Sequence, residues 1–317
     1  MRPLRLIPDD TRIRFMHWRR VAFALTSLMT LASLVSLWVS GLNLGLDFVG
    51  GILVEARAET PVDLGTLRSQ LSRLQLGDVS LQNFGDAHDV LIRVQEQAGG
   101  APAQEQAITA IKSVLEPGFE IRRTEFIGPQ VSHDLLRNGI LAALLAVLLI
   151  GLYVWFRYEW QFGVSAVITT FHDVIATFGL FSLFHLDFNL TIVAALLTIA
   201  GYSINDTVVV FDRVRENLRR YKSLSMAELI DLSVNQTLSR TVLTGVTTLL
   251  AIIALLFFGG PVLRNFSIAL VWGIVVGTYS SVFVASALLL HLPSLRPVEH
   301  SGRQDEPPAA QPSGSGA

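Results

Sequence analysis

Six long apolar runs divide the chain, each near the roughly 20 residues needed to cross a hydrocarbon core of about 30 Å. They are Val21 to Val39, Ile140 to Phe156, Phe162 to Phe184, Leu190 to Phe211, Val242 to Phe258 and Phe266 to Leu292. This pattern predicts a polytopic α-helical membrane protein with six transmembrane helices. The stretches between them are a polar N-terminus at 1–20, a long segment at 40–139, a polar loop at 212–241 and a tail at 293–317. The tail, rich in Pro, Ser and Gly without apolar periodicity, is expected to be disordered.

The 40–139 segment has soluble composition and its own pattern. A β-branched stretch, Gly51 to Ala56, precedes Leu64, Leu67, Leu71 and Leu74 at helical spacing. Strands are expected at Val79 to Phe84 and Val90 to Val94. A second helix follows with Ala107, Ile108, Ile111, Val114 and Leu115 on one face, then a strand from Phe119 to Ile127. The order β-α-β-β-α-β predicts an α+β ferredoxin-like external domain, a fold that names no function by itself. His88 and His133 fall in expected loops as surface residues.

Composition sharpens this. Of 317 residues, 51% are apolar and 16% charged, against about 25% charged in an average soluble domain. A formal net charge of −2 provides no basic field for nucleic acid, so no nucleic-acid partner is expected. The absence of cysteine excludes disulfides, thiolate metal sites and cysteine nucleophiles. An even number of spans places both termini on one side. Fifteen Lys and Arg residues lie on that side, whereas the short loop after the fifth span has only Arg264, so both termini are expected in the cytoplasm. A cleaved signal peptide is the competing reading of the N-terminus, but its first span is too long and Ser40-Gly41-Leu42-Asn43 offers no A-x-A site.

Ionisable groups inside spans cost about 2.5 to 3.5 kcal/mol each on insertion scales, so each needs a reason. Asp173 lies near the bilayer midplane on a stripe with Ser165, Thr169 and Thr177. Asp206 sits near the cytoplasmic end of its span, where Thr198, Tyr202 and Asn205 are expected on its face and Arg213 at the membrane boundary. Two readings stay open: hydrogen bonding that holds the bundle together, or a proton relay whose carboxylates load and unload as an arginine or water approaches. His172, about 100° around the helix from Asp173, is expected to be packed rather than to share a partner with it. Gly273, Gly277, Ser281 and Ala285 read as a helix-packing face. The basic surface between the fourth and fifth spans suits anionic lipid or a cytoplasmic partner. There is no G-x-x-x-x-G-K-[ST], H-E-x-x-H or G-x-S-x-G motif, so no enzymatic activity is expected and an ion gradient is the available energy source.

Several motifs taken together carry a resemblance. They are Leu46-Asp47-Phe48-Val49-Gly50-Gly51 after the first span, Gly128-Pro129, Phe171-His172-Asp173-Val174-Ile175, the run from Gly201 to Asn217, and Phe258-Gly259-Gly260-Pro261-Val262-Leu263. From about Phe15 to Leu295 the chain resembles the SecD/SecF family, related to the RND transporters, and within it the smaller SecF-type subunits. The resemblance implies an RND-like half paired with a SecD subunit in a bacterial inner membrane, associated with the SecYEG channel and often YajC. It implies use of the proton-motive force, with no cofactor, to complete translocation of unfolded preproteins. It places the proton-coupling carboxylate on Asp173, brings Asp206, Asp212 and Arg213 into the same relay, and includes Asp47, Gly50 and Gly51 in a family motif. A structural subunit whose charges only organise the complex is the alternative. An RND-like small-molecule exporter is disfavoured by the single small external domain.

Overall fold

The computed structural model describes residue 8 and residues 11–77, 79–84, 86–293 and 295. The tail beyond 295 expected to be disordered, and most of the first ten residues, lie outside the described residues. After a single 3-10 turn (Phe15–Trp18), α1 (Arg19–Ser40) leads to β1 (Asn43–Leu44) and the short α2 (Leu46–Val49). The external domain follows as β2 (Gly51–Ala58), α3 (Leu64–Ser72), β3 (Val79–Phe84), β4 (Asp86–Val94), α4 (Gly100–Leu115) and β5 (Phe119–Ile127). The chain then runs through α5 (Pro129–Arg157), α6 (Trp160–Leu183), β6 (Asp187–Phe188), α7 (Leu190–Arg220), α8 (Met226–Phe258) and α9 (Gly260–Tyr279). A π turn (Ser280–Ala285) and α10 (Ser286–Leu288) complete it. Among the described residues, six helices are long and apolar enough to cross a membrane, as befits a multi-pass membrane protein.

In the external domain the sheet order is β3-β4-β2-β5, with every neighbouring pair antiparallel. The apolar faces of α3 and α4, through Leu67, Leu71, Ala107, Ile111 and Leu115, cover Ile52, Val54, Val90 and Ile92 on one face of the sheet. Asp63 caps α3: its carboxylate accepts from the Thr66 hydroxyl and the Gly65 amide, and these bonds hold its pKa below the ordinary value. Leu53 and Leu91 point the other way and meet Leu46 of α2. His88 lies within β4 and His133 within α5, not in loops. Strand β4 begins at Asp86, four residues before the expected start, and Pro129 starts α5 well before the apolar run.

The membrane helices also outrun the apolar pattern on the side of the α7–α8 connection. The segment 212–241, expected as a loop, is the end of α7 and the start of α8, leaving only 221–225 as a connection. Hydropathy marks where the bilayer ends, not where hydrogen bonding does. Residues 212–220 and 226–241 contain no Gly or Pro to stop a helix, and a Ser225/Glu228 capping box starts α8. These extensions bury Phe211, Val214, Leu229, Ile230 and Val234 together with Phe15, Met16 and Phe162. The N-terminal segment is tied to α8 because Met16 N donates to Asp231 Oδ1 (2.8 Å) and Ile13 N to Asn235 Oδ1 (2.9 Å).

Helix α1 packs on α6 at a small-residue contact. A Cβ on Gly179 would lie 2.1 Å from Ser33 Oγ and 2.8 Å from Ser33 Cα, so the backbone itself must give way. Gly179→Ala is expected to destabilise the protein by about 1 to 3 kcal/mol, in the range of overpacked cores. Thermal unfolding in detergent measures this, and an unchanged midpoint would rule the close contact out.

Candidate intramembrane charge site

The inward stripe of α6 is buried: Ser165, Thr169, Asp173 and Thr177 are each 0% exposed. Most of its hydroxyls are committed to backbone. Thr169 donates to the carbonyls of Ser165 and Ala166, Thr177 to the carbonyl of Asp173, and Ser165 crosses to the carbonyl of Ala285 (2.7 Å). Thr169 and Thr177 therefore line the stripe without touching the Asp173 carboxylate. That carboxylate takes its partners from other helices. Asp173 Oδ2 accepts from Ser203 Oγ of α7 (2.5 Å) and from Ser280 Oγ at the π turn (2.8 Å). These bonds offset the cost of burying the Asp173 carboxylate.

His172 is packed in the interior, 5% exposed, as expected, and it also has a partner. Its Nδ1 lies 2.9 Å from Asp173 Oδ1, so the two neighbours meet each other although their Cβ atoms diverge by a helical step. Its Nε2 is buried without a hydrogen-bond partner. The face on α9 read as packing alone is also more than that. Gly273 does pack closely, since a Cβ there would lie 2.3 Å from Ile199, but one on Gly277 would lie 3.6 Å from Asp173 Oδ2. The absence of side chains at these positions lets Ser280 and Ser203 converge on the carboxylate. From the π turn, Ser281 Oγ donates to the Ser203 carbonyl (3.2 Å) and pairs with Thr207 Oγ1 (2.8 Å). Ser203, Ser280 and Thr207 were not singled out in the sequence. The run Gly273, Gly277, Ser280, Ser281 was the available signal, because small residues let a helix approach a buried charge.

Asp206, one turn along α7 from Ser203, is 2% exposed. The groups facing its carboxyl are Arg240 and Thr244 of α8, and its Oδ2 has no hydrogen-bond partner. The buried Tyr202, Thr241 and Thr278 hydroxyls are likewise unpartnered. Of these, the Tyr202 hydroxyl interacts electrostatically with the Asp206 carboxylate and lies with Thr278 of α9 beside Gly245 of α8.

Other expected site residues lie elsewhere. Thr198 and Asn205 are on an exposed face of α7, with the Thr198 hydroxyl donating to the Ala194 carbonyl. A step of 100° per residue turns Asn205 away from its neighbour Asp206. Arg213 does not reach Asp206: it lies seven residues, about 10 Å, farther along the helix and pairs with Glu216 (2.9 Å) on the extension of α7. The guanidinium acting on Asp206 comes instead from Arg240 of α8, an electrostatic interaction between helices that spacing along α7 cannot reveal. Asp212 accepts from the Tyr158 hydroxyl (2.9 Å), and burial together with this carboxylate pushes the Tyr158 pKa up to about 12. Asp212 thus braces the α5–α6 turn.

At the start of α7, Asp47 Oδ2 accepts from the Leu190 amide (2.8 Å), supporting the helix N-terminus. Gly50 and Gly51 have φ of +77° and +115°, and a Cβ on Gly51 would lie 2.5 Å from the Val94 carbonyl oxygen. Only glycine suits that turn from α2 into β2.

The profile for "Protein export membrane protein SecD/SecF, C-terminal" matches residues 106–294, and that for the "SecD/SecF GG Motif" matches residues 35–62, around the glycine pair. The chain is 44% identical over 294 residues to the "Protein translocase subunit SecF" of Rickettsia rickettsii, covering 90% of this chain and 94% of that one. Its counterpart in Rhodobacter capsulatus is 43% identical over 304 residues, covering 91% of each. Among solved structures, SecDF from Thermus thermophilus superposes with a TM-score of 0.82 at 38% identity over 90% of this chain. A SecDF crystal structure in a super-membrane-facing form gives 0.66 at 40% identity. This chain spans 39% of the length of each of those SecDF chains. With matches running from the glycine pair to the last membrane helix, the chain belongs to the SecD/SecF family of protein-export membrane proteins.

Proposed function

We propose that this chain is a SecF-type subunit that uses the proton-motive force to promote late protein translocation across a bacterial inner membrane. In this reading it forms an RND-like half beside a SecD subunit at the SecYEG channel, with YajC in many assemblies. Unfolded preproteins and membrane lipid are its other contacts, and both termini are cytoplasmic. The external domain is read as ferredoxin-like, supported by its β-α-β-β-α-β order and its antiparallel sheet with two helices on one face. The charge bias of the terminal side supports the orientation. The assembly is supported by the names of the SecF relatives and the SecDF structures.

The observation that carries proton coupling is Asp206: a buried carboxylate with an unpartnered oxygen, facing Arg240 across α7 and α8. When ionised it attracts the guanidinium; when protonated it loses that attraction and presents a hydroxyl to its neighbours. One proton therefore changes the electrostatic attraction between two helices. A charge crossing 100 mV is worth about 2.3 kcal/mol, enough to bias a two-state equilibrium. Asp173 is read as a second carboxylate of the same relay, held between α6, α7 and the π turn by Ser203, Ser280 and His172.

The test uses vesicles holding the channel, the partner subunit and this chain, with ATP removed after transport has begun. Native protein is expected to complete transport only with a gradient, and Asp206→Asn to stall with normal assembly. Completion by Asp206→Asn at the native rate would overturn the assignment of Asp206. Completion by native protein without a gradient would overturn proton coupling itself.

A further inference from the structure

Covalently, the external domain meets the membrane bundle at two places. One is the Gly50-Gly51 turn, where both glycines have positive φ, and the other is Gly128 between β5 and α5. Two attachment points define an axis about which a domain can tilt. The apolar contact of Leu53, Leu91 and Ile127 with Leu46 lies beside that axis. A contact at another point is needed to set the angle.

Asp187 supplies such a contact. It lies three residues before the start of α7, in the connection from α6, and its side chain is 17% exposed. Its Oδ2 meets the Arg93 guanidinium of β4 at 2.5 Å and accepts from Gln82 Nε2 of β3 at 3.1 Å. Its Oδ1 accepts from Asn43 Nδ2 in β1 at 2.7 Å. Its backbone pairs with Asn43 in the parallel β1–β6 bridge, and its carbonyl accepts from Asn265 Nδ2 of α9 at 3.5 Å. Among the ion pairs of the described residues, Arg93–Asp187 alone joins the external domain to the bundle.

The bundle side of this contact is stiff. Phe188 is held by Phe48, Phe178 and Phe181 at ring distances of 5.3 to 6.0 Å, and Asp47 supports the first amide of α7. The helix anchored there carries Ser203, which binds Asp173, and Asp206 itself. A single carboxylate thus touches the sheet of the external domain, the connection after α1 and the entry to the helix bearing the intramembrane charges.

We propose that Asp187 is a positioning residue: with Arg93 and Gln82 it forms the joint that locks the tilt of the external domain to α7. Because the domain side consists of side-chain contacts alone, the joint opens without breaking secondary structure, and the domain is then free to swing on its glycine turns. The inference extends the proton-coupled reading, resting on it for the driving force but not for the joint.

The chain contains no cysteine, so Ser69→Cys on α3 and Val262→Cys in the first turn of α9, both exposed, provide unique label sites in it. The full chain is reconstituted in lipid vesicles with the subunits that co-purify with it, and the distance distribution between two spin labels is recorded. A narrow native distribution is expected to broaden in Arg93→Ala and in Asp187→Asn. Exchange of the pair, Arg93→Asp with Asp187→Arg, is expected to narrow it again, since Gln82 and Asn43 can turn their amide oxygens toward the relocated guanidinium. Single variants that keep the native distribution, or an exchanged pair that assembles yet stays as broad as the single variants, would overturn the joint. The readout needs neither gradient nor transport, so it succeeds or fails independently of proton coupling.

Discussion

Asp173→Leu is expected to prevent accumulation of an assembled subunit, whereas Asp173→Asn is expected to preserve assembly and abolish gradient-dependent transport. Leucine removes the acceptor for the Ser203 and Ser280 hydroxyls and the partner of His172 Nδ1, all at a site with no exposure. Each buried polar group left unpaired costs about 1 to 3 kcal/mol, so three together consume much of a typical folding free energy of about 5 to 15 kcal/mol. Asparagine keeps the shape and an oxygen that can accept from both serines, but it cannot ionise. Yield and thermal midpoint of the purified complex measure the first effect. Transport in vesicles after ATP removal measures the second. Native transport by the asparagine variant would make Asp173 a structural acceptor that joins three helices, leaving coupling to Asp206 and Arg240.

The second large effect is expected at the turn into the external domain. Gly51→Ala places a methyl group 2.5 Å from the Val94 carbonyl oxygen on a backbone with φ of +115°. The left-handed conformation alone costs an L residue about 1 to 3 kcal/mol. The carbonyl belongs to β4 and cannot rotate aside without weakening the sheet beside β2. A total near 3 kcal/mol or more is expected, seen as early unfolding and rapid proteolysis of the external domain while the membrane helices persist. Gly41→Ala is the matched control: φ is +66°, but nothing lies within 4 Å of the added atom. Its φ of +66° and ψ of −164° lie in a region nearly confined to glycine, so the variant is expected to cost about the 1 to 3 kcal/mol of that backbone strain alone. Equal effects from the two variants would show that the contact with Val94 is unimportant.

The parts of the site that were legible in the sequence are those that burial makes conspicuous. Asp173 and Asp206 stand out because a charge inside an apolar run is expensive, and Gly50-Gly51 because paired glycines precede a β-branched strand. What each carboxylate touches was not legible. Arg213 lies at a plausible spacing from Asp206 yet pairs with Glu216, while Arg240, 34 residues away from Asp206 in the chain, faces the carboxylate from α8. Ser203 and Ser280 are ordinary residues until the packing of α6, α7 and α9 brings them to Asp173.

By itself the sequence determined the six membrane helices, the alternation that forms the external sheet and the intramembrane positions of the charges. Each follows from local periodicity and from the cost of placing polar groups in hydrocarbon. Only the tertiary structure decided that the helices extend past the apolar runs, that His172 meets Asp173, that Arg240 faces Asp206 and that Arg93 reaches Asp187. Those outcomes depend on which faces of distant segments are brought together, and hydropathy along one chain carries no record of the hydrogen bonds and ion pairs that form between helices.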